Sequence, residues 1–263
     1  MATATPLILD FKQRLQRAQP CVGAWLTAPS PQVADAMVSL GFHWLGLELE
    51  HALFSEETAA HCITVGMAAR VPTFARLPQA DPLLARRLFD YGCAGVIVPA
   101  TQSADEFAAF AARCLYPPQG KRGVALTRSN DWGARFAEDL ATFQPILIPQ
   151  IETRKGCDNA DAIAALPYVD AIFMGPWDLS ADLGHGGQFD TPEFLDAMGK
   201  VKTACRKNNK QVGTHIGFPS CDELQRSLDD GYRLIAYSTD LIALRQILGD
   251  AVETFQAFEK SNG

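Results

Sequence analysis

Several features that mark other classes of protein are missing from this sequence. No apolar stretch approaches the ~18 residues of a membrane-spanning helix, and the first residues lack the basic and apolar regions of a signal peptide. The seven cysteines are scattered singly, without a C-x-x-C pair, which is typical of reduced thiols rather than of a disulfide framework or a zinc site. We therefore expect a cytoplasmic protein that does not associate with membranes.

Positive charge is also scarce. The 263 residues carry a formal net charge of −7, which argues against nucleic acid or an anionic membrane as the main partner. A small anionic substrate is still compatible with this balance, because local charges dominate at contact distance. A composition that is 48% hydrophobic and 20% charged is that of a globular protein with a sizeable core.

Eight short apolar runs recur along the chain and predict strands. They are residues 21–26, 44–49, 72–77, 95–99, 146–151, 170–175, 212–216 and 233–238. Their β-branched, continuously apolar character is typical of parallel strands that are buried on both faces. Ala- and Leu-rich segments with one charged face lie between most of them, and several of these segments end at Gly, a common helix stop.

The alternation of strands and helices predicts a closed (β/α)₈ barrel, a TIM barrel of the α/β class. A doubly wound open sheet is the alternative, but no G-x-G-x-x-G follows the first strand. With no linker or change of composition, we assign residues 1–263 to one domain. The spacing breaks once, at the inserted segment 116–136, which we expect to form a functional loop on the catalytic rim.

Polar side chains at the carboxyl ends of barrel strands face the active site. The strand ends supply Trp25, Glu48, Glu50, His51, Arg76, Gln150, Glu152 and Asp178. Glu152 and Asp178 lie one βα unit apart, so their carboxylates can converge on one hard cation and leave positions for water and substrate oxygens. Either acid alone could instead be a surface charge, and Asp178 could cap a helix that begins at Leu179.

Arg76 and His51 are candidates for the chemical step. A guanidinium at the end of a barrel strand can stabilise negative charge on a reacting oxygen. His51 follows a strand end with two glutamates, and a neighbouring carboxylate keeps an imidazole basic enough to accept a proton. We interpret the remaining histidines as structural; they are His43, His61, His185 and His215.

The lysines bear on how a carbanion would be stabilised. An enzyme that forms an enolate must stabilise it, through either a lysine imine or a metal ion. No lysine lies within an apolar predicted strand, where desolvation would lower its pKa. The sequence therefore favours the metal.

Five segments together resemble a known family. They are GFHWLGLELEHA (41–52), FARLPQADP (74–82), YPPQGKRGV (116–124), PQIET (149–153) and GPWDLSADLG (175–184). Over nearly its whole length the chain resembles the class II pyruvate aldolases of the HpcH/HpaI aldolase/citrate lyase family. The resemblance implies a single (β/α)₈ barrel of the phosphoenolpyruvate/pyruvate type that assembles into homohexamers.

The resemblance also implies roles for individual residues. His51 matches the proton acceptor, Arg76 the transition-state stabiliser, and Asp90 the acid that raises the basicity of the histidine. Glu152 and Asp178 match the ligands of a divalent metal ion, Mg²⁺, Mn²⁺ or Co²⁺. The implied substrate-binding residues are Trp25, Gln150, Gly175, Trp177 and Ile216, with the backbone amide of Trp177 meeting the pyruvate carboxylate.

Three positions depart from the pattern of the family. The family usually has Asp-x-Glu-His with a small residue at x, whereas this chain has Glu48 and Leu49. An extra methylene at 48 and a bulky side chain at 49 would narrow the pocket beside the histidine, and we expect them to alter which aldehyde is accepted. Trp177 replaces a common alanine, but a role that depends on its N–H survives that substitution.

The expected reaction is cleavage of a 4-hydroxy-2-oxo acid to pyruvate and an aldehyde. Two related reactions are alternatives: decarboxylation of oxaloacetate with capture of the enolate, as in macrophomate synthase, and lysis of an acyl-CoA. The third alternative is a catalytically silent barrel that binds an organic acid. The intact set of strand-end residues disfavours the silent barrel.

Overall fold

A closed parallel barrel forms the centre of the molecule, in a computed structural model that describes residues 4–262. Its strands, paired in chain order, are β1 Cys21–Leu26, β2 Trp44–Glu48, β3 Thr73–Arg76, β4 Gly95–Val98, β5 Ile146–Ile151, β6 Ala171–Met174, β7 Gln211–Ile216 and β8 Leu234–Thr239. The predicted barrel is confirmed, and each strand lies within about one residue of its predicted bounds. The alternative prediction of a doubly wound open sheet is wrong, because β1 pairs with both β2 and β8 and so closes the sheet.

One helix precedes the first strand, and the other helices follow the strands on the outside of the barrel. In chain order, the helices are α1 Ala4–Gln16, α2 Pro31–Val38, α3 Glu56–Ala68, α4 Pro82–Tyr91, α5 Ala104–Cys114, α6 Phe136–Thr142, α7 Arg154–Asp158, α8 Ala160–Ala164, α9 Pro176–Asp182, α10 Pro192–Lys207, α11 Cys221–Asp229 and α12 Asp240–Asn262. Serine side chains cap several of them, such as Ser55 on the N–H of Thr58 at 3.1 Å. Between residues 4 and 262, no helix is both long and apolar enough to span a membrane.

The inward side chains form layers. The strands of a closed eight-stranded barrel are tilted. At one height, the residue on each strand therefore lies about one position beyond the register partner of the residue on the preceding strand. The observed register then places four residues from the odd strands at one height, namely Trp25, Arg76, Gln150 and His215. Apolar residues such as Phe173 fill the layers below. The uppermost filled layer is therefore polar on three of its four sides, and it forms the floor of the barrel mouth.

Aromatic residues and glycines fit together inside the barrel. Trp25 packs edge-on against Trp44 at 5.5 Å and against Phe173 at 6.0 Å between ring centroids. Gly46 makes room for both tryptophans, because a Cβ at this position would collide with the ring of Trp25 and lie 2.8 Å from Trp44. At the amino ends of the strands, Phe11 of α1 packs on Phe74 at 4.9 Å and closes the barrel from below.

The inserted segment 116–136 does not lie on the catalytic rim, so that expectation is wrong. It follows α5 and precedes β5, which places it at the amino ends of the strands, whereas the rim at β4 is formed by the short connection 99–103. The segment contains a 3₁₀ turn, Arg128–Gly133, and Arg128 donates a hydrogen bond to the carbonyl of Tyr91 at the end of α4 at 3.0 Å. The sequence predicted an insertion but could not show on which side of the helix it falls.

Candidate active site

A buried pair of charges joins the ends of β2 and β3. Glu48 and Arg76 are register partners on these adjacent strands. One carboxylate oxygen of Glu48, Oε2, accepts a hydrogen bond from Nε of Arg76 at 2.6 Å and forms an ion pair with its Nη2, also at 2.6 Å. Glu48 is only 3% exposed, so its charge is neutralised by the guanidinium rather than by water. The pair fixes the guanidinium at the floor of the barrel mouth, with Cζ 5.4 Å from the centre of the Trp25 ring.

The second oxygen of Glu48 organises the segment that carries His51. Glu48 Oε1 accepts the backbone N–H groups of Glu50 at 2.8 Å and of His51 at 3.1 Å. Glu50 Oε2 then lies 3.7 Å from Nε2 of His51 and 3.5 Å from Nε of Arg76. The His51 side chain is 67% exposed. The structure thus places the predicted histidine beside a carboxylate, on the open side of the mouth.

Glu152 lies directly after β5 and is held by hydrogen bonds. Its Oε1 accepts the backbone N–H of Ala100 at 2.6 Å, and its Oε2 accepts Nε2 of Gln150. Gly175 leaves room for this carboxylate, because a Cβ there would lie 2.7 Å from Glu152 Cβ and collide with Oε2. A residue with a side chain at position 175 would therefore displace Glu152.

Negative charge concentrates around Glu152. The pKa of its carboxyl group is raised to about 7, chiefly by burial. The negative charges of Asp178 and Glu50 also raise this pKa, against the hydrogen bonds that Glu152 accepts. Burial likewise raises the pKa of Glu50, with Arg76 opposing the shift. Acids from β2, β5 and α9 therefore repel one another across the mouth, a field that favours a bound cation.

Asp178 does not end a strand or cap a helix. It lies in the first turn of α9, which begins at Pro176 rather than at Leu179 as expected. Proline is favoured at the first helical position because its ring fixes φ and its missing N–H needs no partner there. Asp178 is exposed, and its negative charge is near enough to Glu152 to raise the pKa of that carboxyl group.

These acids could form only part of a coordination shell. Within residues 4–262, no three His, Cys, Asp or Glu side chains are placed to hold a metal ion by themselves. Glu152 and Asp178 would thus leave several positions to water or to substrate oxygens, as hard cations commonly do.

The other predicted substrate-binding residues are divided between the mouth and its surroundings. Trp25 and Gln150 lie in the polar layer, and Gln150 Oε1 is buried without a hydrogen-bond partner. Trp177 is 48% exposed at the rim, with its ring against Phe189 at 5.0 Å. Ile216 is buried, but side chains alternate along a strand, and its neighbour His215 faces inward. The side chain of Ile216 therefore faces the helices.

His215 is a residue that the sequence analysis assigned to a structural role. Its ring packs edge-on against Trp25, with 6.4 Å between centroids, and its Nε2 is buried without a hydrogen-bond partner. The pKa of His215 is lowered to about 4 by burial and by the positive charge of Arg76. His215 lies on β7 one residue before the strand ends, and this strand-end position is the signal that could have drawn attention to it.

Asp90 is not brought to His51 within one chain. It lies in the last turn of α4, at the amino ends of the strands, and pairs with Nη2 of Arg122 at 2.7 Å. The guanidinium of Arg122 packs in turn over the rings of Tyr116 and Phe143. Asp90 and His51 thus occupy opposite ends of the barrel.

The lysines stay away from the barrel interior. The lysines in residues 4–262 lie on helices or loops, and none lies on a strand. Lys12 of α1 pairs with Asp170 at 2.9 Å below the barrel, and Lys155 is exposed on α7.

Comparisons with known proteins all find similarity to aldolases or to one aldolase/lyase family. The family model described as HpcH/HpaI aldolase/citrate lyase matches residues 22–246. A hydroxypyruvate/pyruvate aldolase of Chromohalobacter salexigens is 34% identical over 239 residues, covering 89% of this chain and 92% of that protein. A 5-keto-4-deoxy-D-glucarate aldolase of Klebsiella pneumoniae is 31% identical over 250 residues, covering 94% and 96%. The crystal structure of an HpcH/HpaI aldolase/citrate lyase family protein from Burkholderia cenocepacia superposes with a TM-score of 0.87 at 32% identity, covering 94% of this chain and 99% of that one.

Proposed function

The chain belongs to the HpcH/HpaI aldolase/citrate lyase family, and we propose that it is a metal-dependent class II aldolase that reversibly cleaves a 4-hydroxy-2-oxo acid to pyruvate and an aldehyde. One observation carries the proposal. A group of acids that favours a cation lies at the same barrel mouth as an arginine held to stabilise negative charge. The relatives are named for oxo acids, which fits a site with both features.

Glu152 and Asp178 would hold the divalent ion, Mg²⁺, Mn²⁺ or Co²⁺. Burial, together with the negative charges of Asp178 and Glu50, raises the pKa of Glu152, and a bound cation would offset both effects by stabilising the charged carboxylate. Oxygen donors suit these hard cations. When bound, the ion would supply Lewis acidity that polarises the 2-oxo group and favours the enolate.

Gln150 and the residues around it would bind the oxo acid. The unpartnered Oε1 of Gln150 supports a direct contact with substrate, since a buried acceptor without a partner is costly. Gly175 keeps the space beside Glu152 free of a side chain. The remaining contacts, with Trp25, the backbone amide of Trp177 and Ile216, are proposed from the family resemblance.

His51 and Arg76 would carry the bond cleavage. In the cleavage direction, His51 takes the proton of the 4-hydroxyl group through a water molecule, and the bond between C3 and C4 breaks. Its electron pair becomes the enolate of pyruvate, whose developing negative charge Arg76 stabilises. Glu50, 3.7 Å from His51, supports the histidine in its charged form after the transfer.

Assembly of several copies, a homohexamer by the family resemblance, would complete the site. Asp90 can act on His51 only from another copy, since the two lie at opposite ends of one barrel. Helix α12 exposes apolar side chains along its length, among them Ile247 at 70%, Leu248 at 57% and Phe255 at 59%. An exposed apolar patch of this kind favours a protein partner, and a second copy of this chain fits both observations.

Release of pyruvate tests the proposal directly. A panel of 4-hydroxy-2-oxo acids should yield pyruvate in the presence of Mg²⁺, Mn²⁺ or Co²⁺, lose the activity on exhaustive chelation and regain it when metal returns. Borohydride added with pyruvate should trap no adduct. A chelator-resistant activity with a trapped lysine would contradict the metal mechanism. Release of CO₂ from oxaloacetate without aldol cleavage would instead identify a decarboxylase.

A further inference from the structure

The left-handed backbone of Ala100 is unusual for a residue at the barrel mouth. Three of the non-glycine residues with positive φ follow helix ends, where this conformation is the ordinary way to end a helix, and two lie in the 3₁₀ turn of the inserted segment. The remaining two, Ala100 and Ser238, lie at the carboxyl ends of β4 and β8. Strained backbone next to an active site points to a function. Within residues 4–262, the full set is Ala18, Arg70, Ala100, Asp131, Trp132, Asn209 and Ser238.

The side chain of Ala100 does not offset this strain. A φ of +48° brings the Cβ of an L-residue too close to a carbonyl oxygen. Ser238 has a hydroxyl group that donates to the carbonyl oxygen of Gly217 at 2.9 Å, whereas alanine has no polar group to contribute. Ala100 is also exposed, so its methyl group adds little packing. The conformation of Ala100 is therefore maintained by backbone contacts.

Neighbouring residues hold the connection between β4 and α5 on both sides of Ala100. The backbone N–H of Thr101 donates to the carbonyl oxygen of Gln150 at 3.0 Å, and its hydroxyl group donates to the carbonyl oxygen of Val98, also at 3.0 Å. The side-chain amide of Asn159 donates to the carbonyl oxygen of Gln102 at 2.8 Å. These contacts fasten the chain to β5 and to the junction of α7 and α8. The backbone at position 100 cannot relax without breaking them.

The left-handed turn directs the N–H of Ala100 toward Glu152. This N–H donates to Oε1 of Glu152 at 2.6 Å, and hydrogen bonds to an ionised acceptor are short and strong. Oε2 of Glu152 accepts Nε2 of Gln150, so each oxygen of the carboxylate has a protein donor. The backbone of Ala100 thus supplies one of two hydrogen bonds that fix the orientation of Glu152.

We propose that Ala100 is a positioning residue: its left-handed backbone aims its N–H at Glu152 and holds this carboxylate in the orientation that binds the divalent cation. The inference rests on the proposed function for the cation alone, because the hydrogen bond between Ala100 and Glu152 belongs to the protein itself. The role requires the backbone N–H and the left-handed conformation, but it does not require the methyl group.

The first experiment removes the N–H of Ala100 and keeps its side chain. Replacement of Ala100 by L-lactic acid, through nonsense suppression, exchanges the backbone N–H for an ester oxygen. This oxygen repels Oε1 of Glu152 instead of donating to it. The dissociation constant for Mn²⁺, measured by calorimetry, should rise about 10- to 150-fold, the range for one hydrogen bond to a charged group. An unchanged dissociation constant overturns the proposal.

Two controls separate the hydrogen bond from the strain. Ala18 is a second left-handed alanine, with φ of +52°, and it lies before β1 at the amino ends of the strands. Its N–H donates to the carbonyl oxygen of Leu15 at 2.9 Å, and the same replacement there should leave Mn²⁺ binding at its wild-type strength. Ala100→Gly keeps the N–H and adopts a positive φ without strain, so it should also bind Mn²⁺ normally. Weakened binding in either control would contradict the proposal, since stability or the methyl group would then set the affinity.

The second experiment needs neither metal nor turnover. Crystal structures of the metal-free wild type, the lactic acid protein and Ala100→Gly show where the carboxylate of Glu152 lies. It should stay beside position 100 in the wild type and in Ala100→Gly, and it should turn away in the lactic acid protein. A carboxylate that keeps its place in the lactic acid protein refutes the role of Ala100. If the wild type binds no divalent cation, the proposed metal-dependent function fails, and these structures still decide whether Ala100 positions Glu152.

Discussion

The Glu48–Arg76 pair offers the sharpest test of how the site is held together. Glu48→Leu removes the carboxylate and keeps a side chain of similar volume, so it leaves no large cavity. The guanidinium of Arg76 then loses the oxygen that accepts its Nε–H and forms an ion pair with its Nη2. The N–H groups of Glu50 and His51 also lose their acceptor. A destabilised fold and an inactive site are the expected results.

The size of the effect follows from burial. Removing one partner of a buried ion pair costs about 3–5 kcal/mol. The Arg76 side chain is 16% exposed, so water reaches part of the guanidinium that has lost its partner. We therefore expect a cost at the lower end of this range, about 3 kcal/mol. For a domain of this length, such a loss lowers Tm by roughly 6–12 °C.

The double variant supplies the signature of a charge pair. Glu48→Leu with Arg76→Met removes both charges, and replacement of both partners by apolar groups recovers much of the lost stability. The losses in free energy of unfolding of the two single variants, added together, should therefore exceed the loss of the double variant by about 2–3 kcal/mol. Denaturant unfolding of the four proteins of the cycle measures this coupling.

A matched control uses an exposed pair. Arg87 and Glu56 lie 2.8 Å apart with side chains 55% and 52% exposed, and Glu56→Leu should cost no more than about 1 kcal/mol. Two outcomes would refute the reasoning. One is a loss of stability in the double variant that equals the sum of the losses in Glu48→Leu and Arg76→Met, and the other is a Glu48→Leu protein as stable as Glu56→Leu. Such a result would mean that water, not the partner charge, stabilises Arg76.

Three further predictions concern the mouth of the barrel. Glu152→Ala and Asp178→Ala should each lose metal binding, as measured by calorimetry, and should lose aldol cleavage, while the circular dichroism spectrum stays that of the native fold. Near-normal metal affinity in either variant would contradict the ligand assignment. Arg76→Ala should lower both pyruvate proton exchange and cleavage by about 10²-fold or more. His51→Ala should lower cleavage by about 10²–10⁴-fold and leave proton exchange largely intact. Identical losses in the two variants would refute their separate roles. Since the pKa of His215 falls from 6.5 to about 4 on folding, the unfolded chain binds the extra proton at this residue, and the contribution of His215 to stability should decline as pH falls from 6.5 to 4. Denaturant unfolding of His215→Phe should show a shallower decline, and an unchanged slope would show that the ring is not held neutral.

Local sequence determined the barrel and most of the candidate site. Apolar runs of four to six residues in alternation with amphipathic segments admit few architectures, because parallel strands buried on both faces need helices to cover them. Polar residues that follow such runs fall at one end of the barrel, since all its strands point the same way. For this reason Glu48, Arg76, Gln150 and Glu152 could be placed at the mouth from the sequence.

Only the tertiary structure decided the remaining placements. The height of a residue in the barrel depends on the register of every strand pair, so the common layer of Gln150 and His215 could not be derived from either strand alone. The segment 116–136 and Asp90 lie at the far end because α5 and α4 run antiparallel to their strands and return the chain there. The sequence determines which residues are inward and polar, but closure of the sheet determines which of them meet, because the layers exist only once β8 pairs with β1.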